Sequence, residues 1–220
     1  MDNSYILSHV DHTLLTPTAT WNEIDRLCNE AIKFNTASVC IPPCYIKRIR
    51  EAFPEIVICT TIGFPLGYDI LATKSLATQA AIQNGANEID MVINIADVKN
   101  GDYTNILTEI KVLKQIIDDK ILKVIIETCY LTEEEKITLC KIVTESGADY
   151  IKTSTGFGTA GATLDDIRLF KANIGPDVKM KAAGGIRTKE DMIDFLEEGC
   201  KRLGTSSAVK ILTGNKAGSY

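Results

Sequence analysis

The chain has 220 residues, of which 45 % are hydrophobic and 24 % charged, proportions that are ordinary for a soluble globular protein. This length suits one domain with a full core or two small domains. The formal net charge of −5 argues against nucleic acid or an anionic membrane surface as the main partner, and it leaves room for a local basic pocket that binds a small anion.

Short β-branched runs alternate with amphipathic stretches along the whole chain, without a Pro/Gly-rich linker between them. The predicted strands are residues 9–14, 37–41, 57–62, 88–95, 122–127, 150–153, 179–183 and 202–205. The predicted helices are residues 22–34, 45–52, 71–84, 103–117, 133–145, 164–172, 189–197 and a short closing helix at 207–212. Capping boxes of the Thr132/Glu135 type mark helix starts, with a weaker variant at Thr188/Asp191.

Eight strand–helix pairs in a chain of this length predict an α/β fold, a single-domain (β/α)8 TIM barrel over residues 1–220. A doubly wound open sheet is the alternative. The barrel is favoured because no early strand is followed by the Gly-x-Gly-x-x-Gly turn of dinucleotide-binding sheets.

Alternation along the predicted strands indicates which side chains point into the barrel, because successive strand residues face opposite sides. The charged or polar residues with inward parity are Asp11, Asp90, Asn94, Lys123, Glu127, Lys152, Lys179 and Lys181. A buried ion-pair network that closes the barrel bottom would explain them structurally. Buried ion pairs stabilise a fold less than apolar packing does, so we interpret the concentration as functional, above all at the carboxyl ends of strands.

The seven cysteines show no spacing that is typical of a disulfide framework or a zinc site. The first residues lack the basic start and apolar run of a signal peptide. No apolar stretch approaches the roughly 18 residues of a membrane span. We therefore expect a cytoplasmic protein with reduced cysteines and no membrane partner.

Four motifs occur in order along the chain: Asp-His-Thr-Leu-Leu at 11–15, Glu-Ile-Asp-Met-Val at 88–92, Tyr-Ile-Lys-Thr-Ser-Thr-Gly-Phe-Gly at 150–158 and Lys-Ala-Ala-Gly-Gly-Ile-Arg at 181–187. Together they resemble the deoxyribose-phosphate aldolase family over residues 11–207. The resemblance implies a class I aldolase without a cofactor. Its expected reaction is reversible cleavage of 2-deoxy-D-ribose 5-phosphate into D-glyceraldehyde 3-phosphate and acetaldehyde.

The resemblance also implies roles for single residues. Lys152 matches the lysine that forms the Schiff base, Lys181 the second lysine beside it, and Asp90 the acid/base carboxylate. Asp11 and Cys40 fall where the family lines its substrate pocket. Phe157 lies five residues after Lys152. Some members of the family carry a lysine at this position, so the phenylalanine removes one cation from the expected phosphate site.

An aldolase stabilises a carbanion beside a carbonyl either with a metal ion or by converting the carbonyl into an iminium. His9 and His12 are the only histidines, and on one strand they would point to opposite faces, so no metal site is predicted. The iminium route needs a neutral lysine amine, whereas a free lysine titrates near about 10.4. Burial beside a second cation favours the neutral amine, and we expect Lys181 to be that cation for Lys152.

Glycine-bearing turns follow the sixth, seventh and eighth predicted strands, and barrels often bind phosphate with backbone amides in such turns. The residues predicted to bind the substrate or its phosphate are Asp11, Cys40, Thr155, Gly156, Gly184, Gly185, Arg187, Gly204, Ser206 and Ser207.

Residues 213–220 are predicted to form a flexible C-terminal tail. Fully extended, it would reach about 28 Å and could bring Tyr220 to the barrel mouth for closure or proton transfer. Two alternatives to an aldolase stay open: a phosphosugar isomerase with a carboxylate base, and a sugar-phosphate sensor without turnover. The sequence does not define the oligomeric state, and it is compatible with a homo-oligomer.

Overall fold

The structure, a computed structural model, describes residues 1–214 of the chain. Eight parallel strands form a closed barrel in which each strand pairs with the next and β8 pairs with β1. The strands are β1 (Val10–Thr13), β2 (Ser38–Ile41), β3 (Ile58–Ile62), β4 (Glu88–Val92), β5 (Ile121–Ile125), β6 (Tyr150–Lys152), β7 (Lys179–Ala183) and β8 (Arg202–Thr205). The predicted (β/α)8 barrel is confirmed.

Helices precede, connect and follow the strands. They are α1 (Asn3–Leu7), α2 (Trp21–Phe34), α3 (Ile46–Ala52), α4 (Leu71–Gln83), α5 (Ile95–Asn100), α6 (Tyr103–Ile117), α7 (Glu133–Ser146), α8 (Leu164–Asn173), α9 (Lys189–Glu198) and α10 (Ala208–Thr213). The capping boxes at Thr132 and Thr188 begin α7 and α9 as predicted. None of the helices within residues 1–214 is both long and apolar enough to cross a membrane.

The hydrophobic core lies between the barrel wall and the helices. Alternate strand residues such as Ile89 and Met91 of β4 or Leu122 and Val124 of β5 are completely buried in it. The intervening residues of the same strands point into the barrel, where Asp90 and Lys123 are also completely buried. The period-two pattern therefore sends apolar side chains to one layer and charged side chains to another.

Five details of the prediction are wrong, three of them in the fourth and seventh strands. The fourth strand ends at Val92 and not at residue 95, because the Asn94 side chain accepts a hydrogen bond from the Ala96 amide at 3.1 Å and begins α5. Asn94 therefore caps a helix. Lys179 is exposed at the amino-terminal end of β7, with its ammonium group 5.6 Å from the centre of the Tyr150 ring, so it does not lie inside the barrel.

The fifth strand ends at Ile125, and Glu127 adopts a left-handed backbone conformation with φ 54°. At the C-terminus, Thr213 is still helical and ends α10, so it does not belong to the tail. The rest of the predicted tail, apart from Gly214, lies outside the described residues, and so does the prediction for Tyr220.

Candidate active site

A connected cluster of charged side chains fills the interior of the barrel. Its members, contributed by β1, β4, β5, β6, β7 and β8, are Asp11, Glu88, Asp90, Lys123, Lys152, Lys181 and Arg202. Only the side chain of Arg202 is more than marginally exposed, at 15 %. The strand alternation that predicted inward-pointing charge is thus confirmed for the middle of the barrel.

Asp90 lies at the centre of this cluster. Its Oδ2 atom accepts hydrogen bonds from the Nζ atoms of Lys152 and Lys181, each at 2.7 Å. Its Oδ1 atom accepts from Lys123 at 2.9 Å and from the Cys59 thiol at 3.1 Å. Burial alone would raise the pKa of Asp90, but the three lysines outweigh it and hold that pKa well below its usual range. Asp90 is therefore an ionised carboxylate in direct contact with three lysine side chains.

Lys181 is held between two carboxylates. Its ammonium group donates to Asp11 Oδ2 and to Asp90 Oδ2. Burial would lower the pKa of Lys181, yet the charges of Asp11 and Asp90 raise it above the ordinary value. Lys181 and Lys152 are register partners on β7 and β6, so the two lysines lie side by side. The structure adds a carboxylate shared by both amines, which strand parity did not predict.

Beneath this pair, towards the amino-terminal end of the barrel, Glu88 connects two further cations. The Glu88 carboxylate lies 2.6 Å from Lys123 Nζ. The guanidinium group of Arg202 donates to both Glu88 oxygens at 2.9–3.1 Å and to Asp11 Oδ1 at 2.9 Å. Sequence reasoning did not single out Glu88 or Arg202. Glu88 shares the parity of Asp90 on the same strand, so alternation could have found it.

A cavity of about 340 Å³ opens at the carboxyl ends of β1, β6, β7 and β8. It contains Lys152 together with eight predicted substrate-binding residues: Thr155, Gly156, Gly184, Gly185, Arg187, Gly204, Ser206 and Ser207. Asp11 and Cys40, also predicted to line the pocket, are completely buried and do not belong to its wall. Sequence reasoning missed the contributions of Leu15, Thr16 and Thr205 to that wall.

Glycines at two of the cavity turns are required by close approach of the backbone. A Cβ atom on Gly161 would lie 2.3 Å from the carbonyl group of Gly184, so no side chain fits there. Gly184 and Gly185 both have positive φ, 78° and 77°, which glycine adopts readily. A Cβ on Gly204 would lie 3.2 Å from Lys181 Cε, so Gly204 leaves space for this lysine inside the barrel.

The loop that follows Lys152 is held by Glu127. The Thr155 amide donates to Glu127 Oε1 at 3.1 Å, and the Thr155 hydroxyl donates to Oε2. Burial raises the pKa of the Glu127 carboxyl, although the hydrogen bonds from Thr155 oppose this. The next turn carries Phe157, whose ring makes an edge contact with Phe64 at 5.4 Å between centroids. One rim of the cavity is therefore apolar.

Two cysteines that the sequence analysis did not connect also lie in the barrel. Cys40 and Cys59 are register partners on β2 and β3, and their sulfurs lie within 4.8 Å of each other and of an Asp90 oxygen. Interaction with the Cys59 side chain, only partly opposed by burial, lowers the pKa of the Cys40 thiol. A similar grouping joins Cys59 to Asp11 and Glu88. The ammonium groups of Lys123 and Lys181 already contact the Asp90 oxygens, so they compete with any metal ion there.

A closed (β/α)8 barrel with a buried lysine–carboxylate cluster beneath a cavity at the carboxyl ends of its strands has the layout of a TIM-barrel enzyme. Residues 5–218 match the family model described as DeoC/LacD family aldolase. The chain belongs to this aldolase family.

Individual relatives agree with this assignment. The chain is 62 % identical to the deoxyribose-phosphate aldolase of Clostridium botulinum (strain Alaska E43 / Type E3), with 100 % of both chains covered. It is 57 % identical to that of Clostridioides difficile (strain 630), covering 98 % of this chain and 99 % of the relative. Among solved structures, it is similar to the tetrameric deoxyribose phosphate aldolase from Aeropyrum pernix, with 30 % identity, a TM-score of 0.87 and coverage of 97 % and 92 %.

Proposed function

We propose that the protein is a class I, metal-independent aldolase that reversibly cleaves 2-deoxy-D-ribose 5-phosphate into D-glyceraldehyde 3-phosphate and acetaldehyde. The names of its relatives support the substrate. One observation carries the mechanism: Lys152 lines the cavity and its Nζ atom lies 2.7 Å from the ionised Asp90 carboxylate. An amine beside a proton acceptor, at the base of a pocket, is what formation of a Schiff base needs.

The first step is addition of the Lys152 amine to the C1 carbonyl of the open-chain sugar. Asp90 passes one proton from the nitrogen to the C1 oxygen, which gives the neutral carbinolamine. A second proton, taken up from solvent, converts the C1 hydroxyl into water, which leaves to give the iminium. Lys181, held as a cation by Asp11 and Asp90, stabilises the carboxylate during this transfer.

Cleavage of the C2–C3 bond follows. A base, for which Asp90 is the candidate, removes the proton of the C3 hydroxyl, and the electron pair of the breaking bond moves into the iminium. D-glyceraldehyde 3-phosphate leaves and an enamine remains on Lys152. Protonation of C2 and hydrolysis of the resulting iminium release acetaldehyde and restore the free lysine.

The phosphate group is assigned to the turns after β6, β7 and β8. Within the described residues that line the cavity, Arg187 is the only basic side chain besides Lys152. Gly156, Gly184 and Gly185 bring the backbone close to the cavity without side chains, and the Ser206 and Ser207 hydroxyls lie on the same wall. Polar backbone, hydroxyls and one guanidinium group suit a phosphate monoester.

Borohydride reduction in the presence of acetaldehyde tests the central claim. We expect an ethyl group on Lys152, located by peptide mapping, and loss of aldolase activity. Lys152→Met should abolish labelling, whereas Lys179→Met, at the opposite end of the barrel, should label like the parent. Label mainly on Lys181 would overturn the assignment, and turnover without any trapped adduct would favour the isomerase.

Three further parts of the proposal need separate measurements. EDTA should leave activity intact, and a loss that zinc restores would contradict the metal-independent route. If Tyr220 takes part in proton transfer, Tyr220→Phe should slow hydrogen exchange into enzyme-bound acetaldehyde. We also propose a homo-oligomer, which light scattering during size-exclusion chromatography would test.

A further inference from the structure

The buried cluster contains unequal numbers of acids and bases. Its four basic members are Lys123, Lys152, Lys181 and Arg202, and its three acidic members are Asp11, Glu88 and Asp90. If every member were ionised, the cluster would carry one excess positive charge. The cluster is neutral only when one of the four bases has lost its proton. This state is favoured because an uncompensated charge in a barrel interior is costly.

Among these four bases, Lys152 has the fewest ion pairs. Lys123 lies within 4.0 Å of three carboxylates, and Lys181 and Arg202 each contact two. Lys152 pairs with Asp90 alone, through an oxygen that Lys181 also contacts. Loss of the proton from Lys152 therefore gives up the fewest ion pairs.

We propose that Glu88, Lys123 and Arg202, at the amino-terminal end of the barrel, are positioning residues that set the charge state of Lys152. The inference deepens the proposed aldolase function and rests on it. None of the three residues lines the cavity, and none of them makes an ion pair with Asp90 and Lys152 together, so we place them as positioning residues. They act through the number of charges that they add to the cluster and through the way they hold Asp90.

Lys123 is the link between the two ends. Its Nζ atom lies 2.6 Å from Glu88 Oε2 and 2.9 Å from Asp90 Oδ1. Arg202 holds the other side of Glu88 with both of its terminal nitrogens. A change of charge at Glu88 is therefore transmitted to Asp90, and from Asp90 to Lys152, through direct contacts.

Titratable and charged groups on all eight strands and on the loop after β5 lie in the barrel interior with Lys152. They are Asp11, Cys40, Cys59, Glu88, Asp90, Lys123, Glu127, Tyr150, Lys181 and Arg202. Glu127 lies at the mouth with Thr155 as its hydrogen-bond partner. Among the ion pairs of residues 1–214, none joins Glu127 to a base of the cluster, although its carboxylate interacts with Lys152 at longer range. The variants below keep Glu127, so its contribution is the same in all of them.

The proposal predicts shifts of opposite sign for two neighbouring substitutions. Lys123→Met removes the excess positive charge, so Lys152 keeps its proton to higher pH and becomes reactive later. Glu88→Gln raises the excess, so Lys152 becomes reactive at lower pH. Each shift should be about 1 to 2 pH units, the size expected for one unit charge several ångströms away at an effective dielectric constant of about 20.

The double variant Glu88→Gln/Lys123→Met is the matched control. It removes one acid and one base, so the excess of one positive charge is the same as in the parent. Its pH dependence should return to within about half a pH unit of the parent, whereas two independent structural defects would accumulate. Arg202→Gln, at a partly exposed position, serves as a second charge-removing variant and should shift the profile in the direction of Lys123→Met.

The measurement is competitive labelling with isotope-coded acetic anhydride across pH, read by mass spectrometry at the Lys152 peptide. It reports the free amine directly and requires no aldolase turnover. Borohydride trapping in the parent shows separately whether the proposed function fails. Near-UV circular dichroism checks that each variant is folded, and the pH–rate profile should move with the labelling curve. Shifts of the same sign for Glu88→Gln and the charge-removing variants, or a double variant that stays displaced, would overturn the proposal.

Discussion

A second buried ion pair, outside the barrel, allows the energetic reasoning to be tested without reference to function. Lys74 of α4 is completely buried, and its Nζ atom lies 2.8 Å from Oε1 of Glu109 on α6. The same ammonium group donates to the carbonyl oxygen of Val92, at the end of β4, at 2.8 Å. Its Cε atom packs so closely on Gly63 that a Cβ there would lie 2.7 Å away. The side chain therefore ties a helix to the end of the strand that carries Asp90.

The magnitude follows from what each substitution leaves behind. Lys74→Met leaves a buried carboxylate and the Val92 carbonyl without this donor, which should cost about 3–5 kcal/mol of unfolding free energy. Glu109→Leu leaves the ammonium group without its counter-ion and should cost about as much. The double variant removes both charges and leaves only the carbonyl unpaired, so it should cost about 1–2 kcal/mol.

Equilibrium urea denaturation at pH 7, followed by far-UV circular dichroism, measures these free energies. Lys111→Met is the matched control, because Lys111 pairs with Glu145 on the surface, where the two side chains are 43 % and 63 % exposed. That change should cost less than about 1 kcal/mol. If Lys74→Met costs no more than Lys111→Met, or if the double variant is less stable than both single variants, the assignment of a buried, mutually compensated pair is wrong.

Three other predictions follow from single contacts. Thr132→Ala removes the hydroxyl that accepts a hydrogen bond from the Glu135 amide at the start of α7, and it should lower the free energy of unfolding by about 1 kcal/mol. An unchanged urea midpoint would contradict this. Gly161→Ala would place a Cβ 2.3 Å from the Gly184 backbone, so Tm should fall and KM for the phosphorylated substrate should rise more than kcat falls. Neighbouring cations outweigh burial and hold the pKa values of Asp11 and Asp90 below their unfolded values. Their stabilisation is therefore present above about pH 4 and lost as the pH falls further, so Tm should decline below that pH, and less steeply in Asp11→Asn.

The barrel could be predicted because its two hydrophobic layers leave a simple pattern. Strands β7 and β8 were predicted to the residue, since each is a short run bounded by turn-forming residues. The end of β4 was not, because Ile93 and Ile95 continue the alternation of a strand. Only the hydrogen bond that the Asn94 side chain accepts from the Ala96 amide shows that the strand has ended and a helix has begun. Apolar spacing over three residues does not distinguish a strand end from a helix start.

The candidate site was predicted as a set of inward-pointing residues and not as a network. Parity identified Asp90, Lys123, Lys152 and Lys181, and the turns identified most of the cavity wall. Which residues touch depends on register between neighbouring strands, such as Asp90 opposite Lys123 and Lys152 opposite Lys181. The register between strands is a property of the closed barrel, and the sequence of a single strand does not determine it.

The two lysines of β7 show what parity leaves undetermined. Lys179 and Lys181 have the same orientation, two residues apart, which is about 6.6 Å along a parallel strand. Lys179 is exposed at the amino-terminal rim beside Tyr150, whereas Lys181 is completely buried between two carboxylates, in space that Gly204 leaves open. A step of two residues along β7 thus separates a solvated lysine from a buried lysine that belongs to the same cluster as Lys152. The charge balance at the candidate catalytic lysine is therefore decided by depth along the barrel axis, and depth is set by the register of all eight strands together.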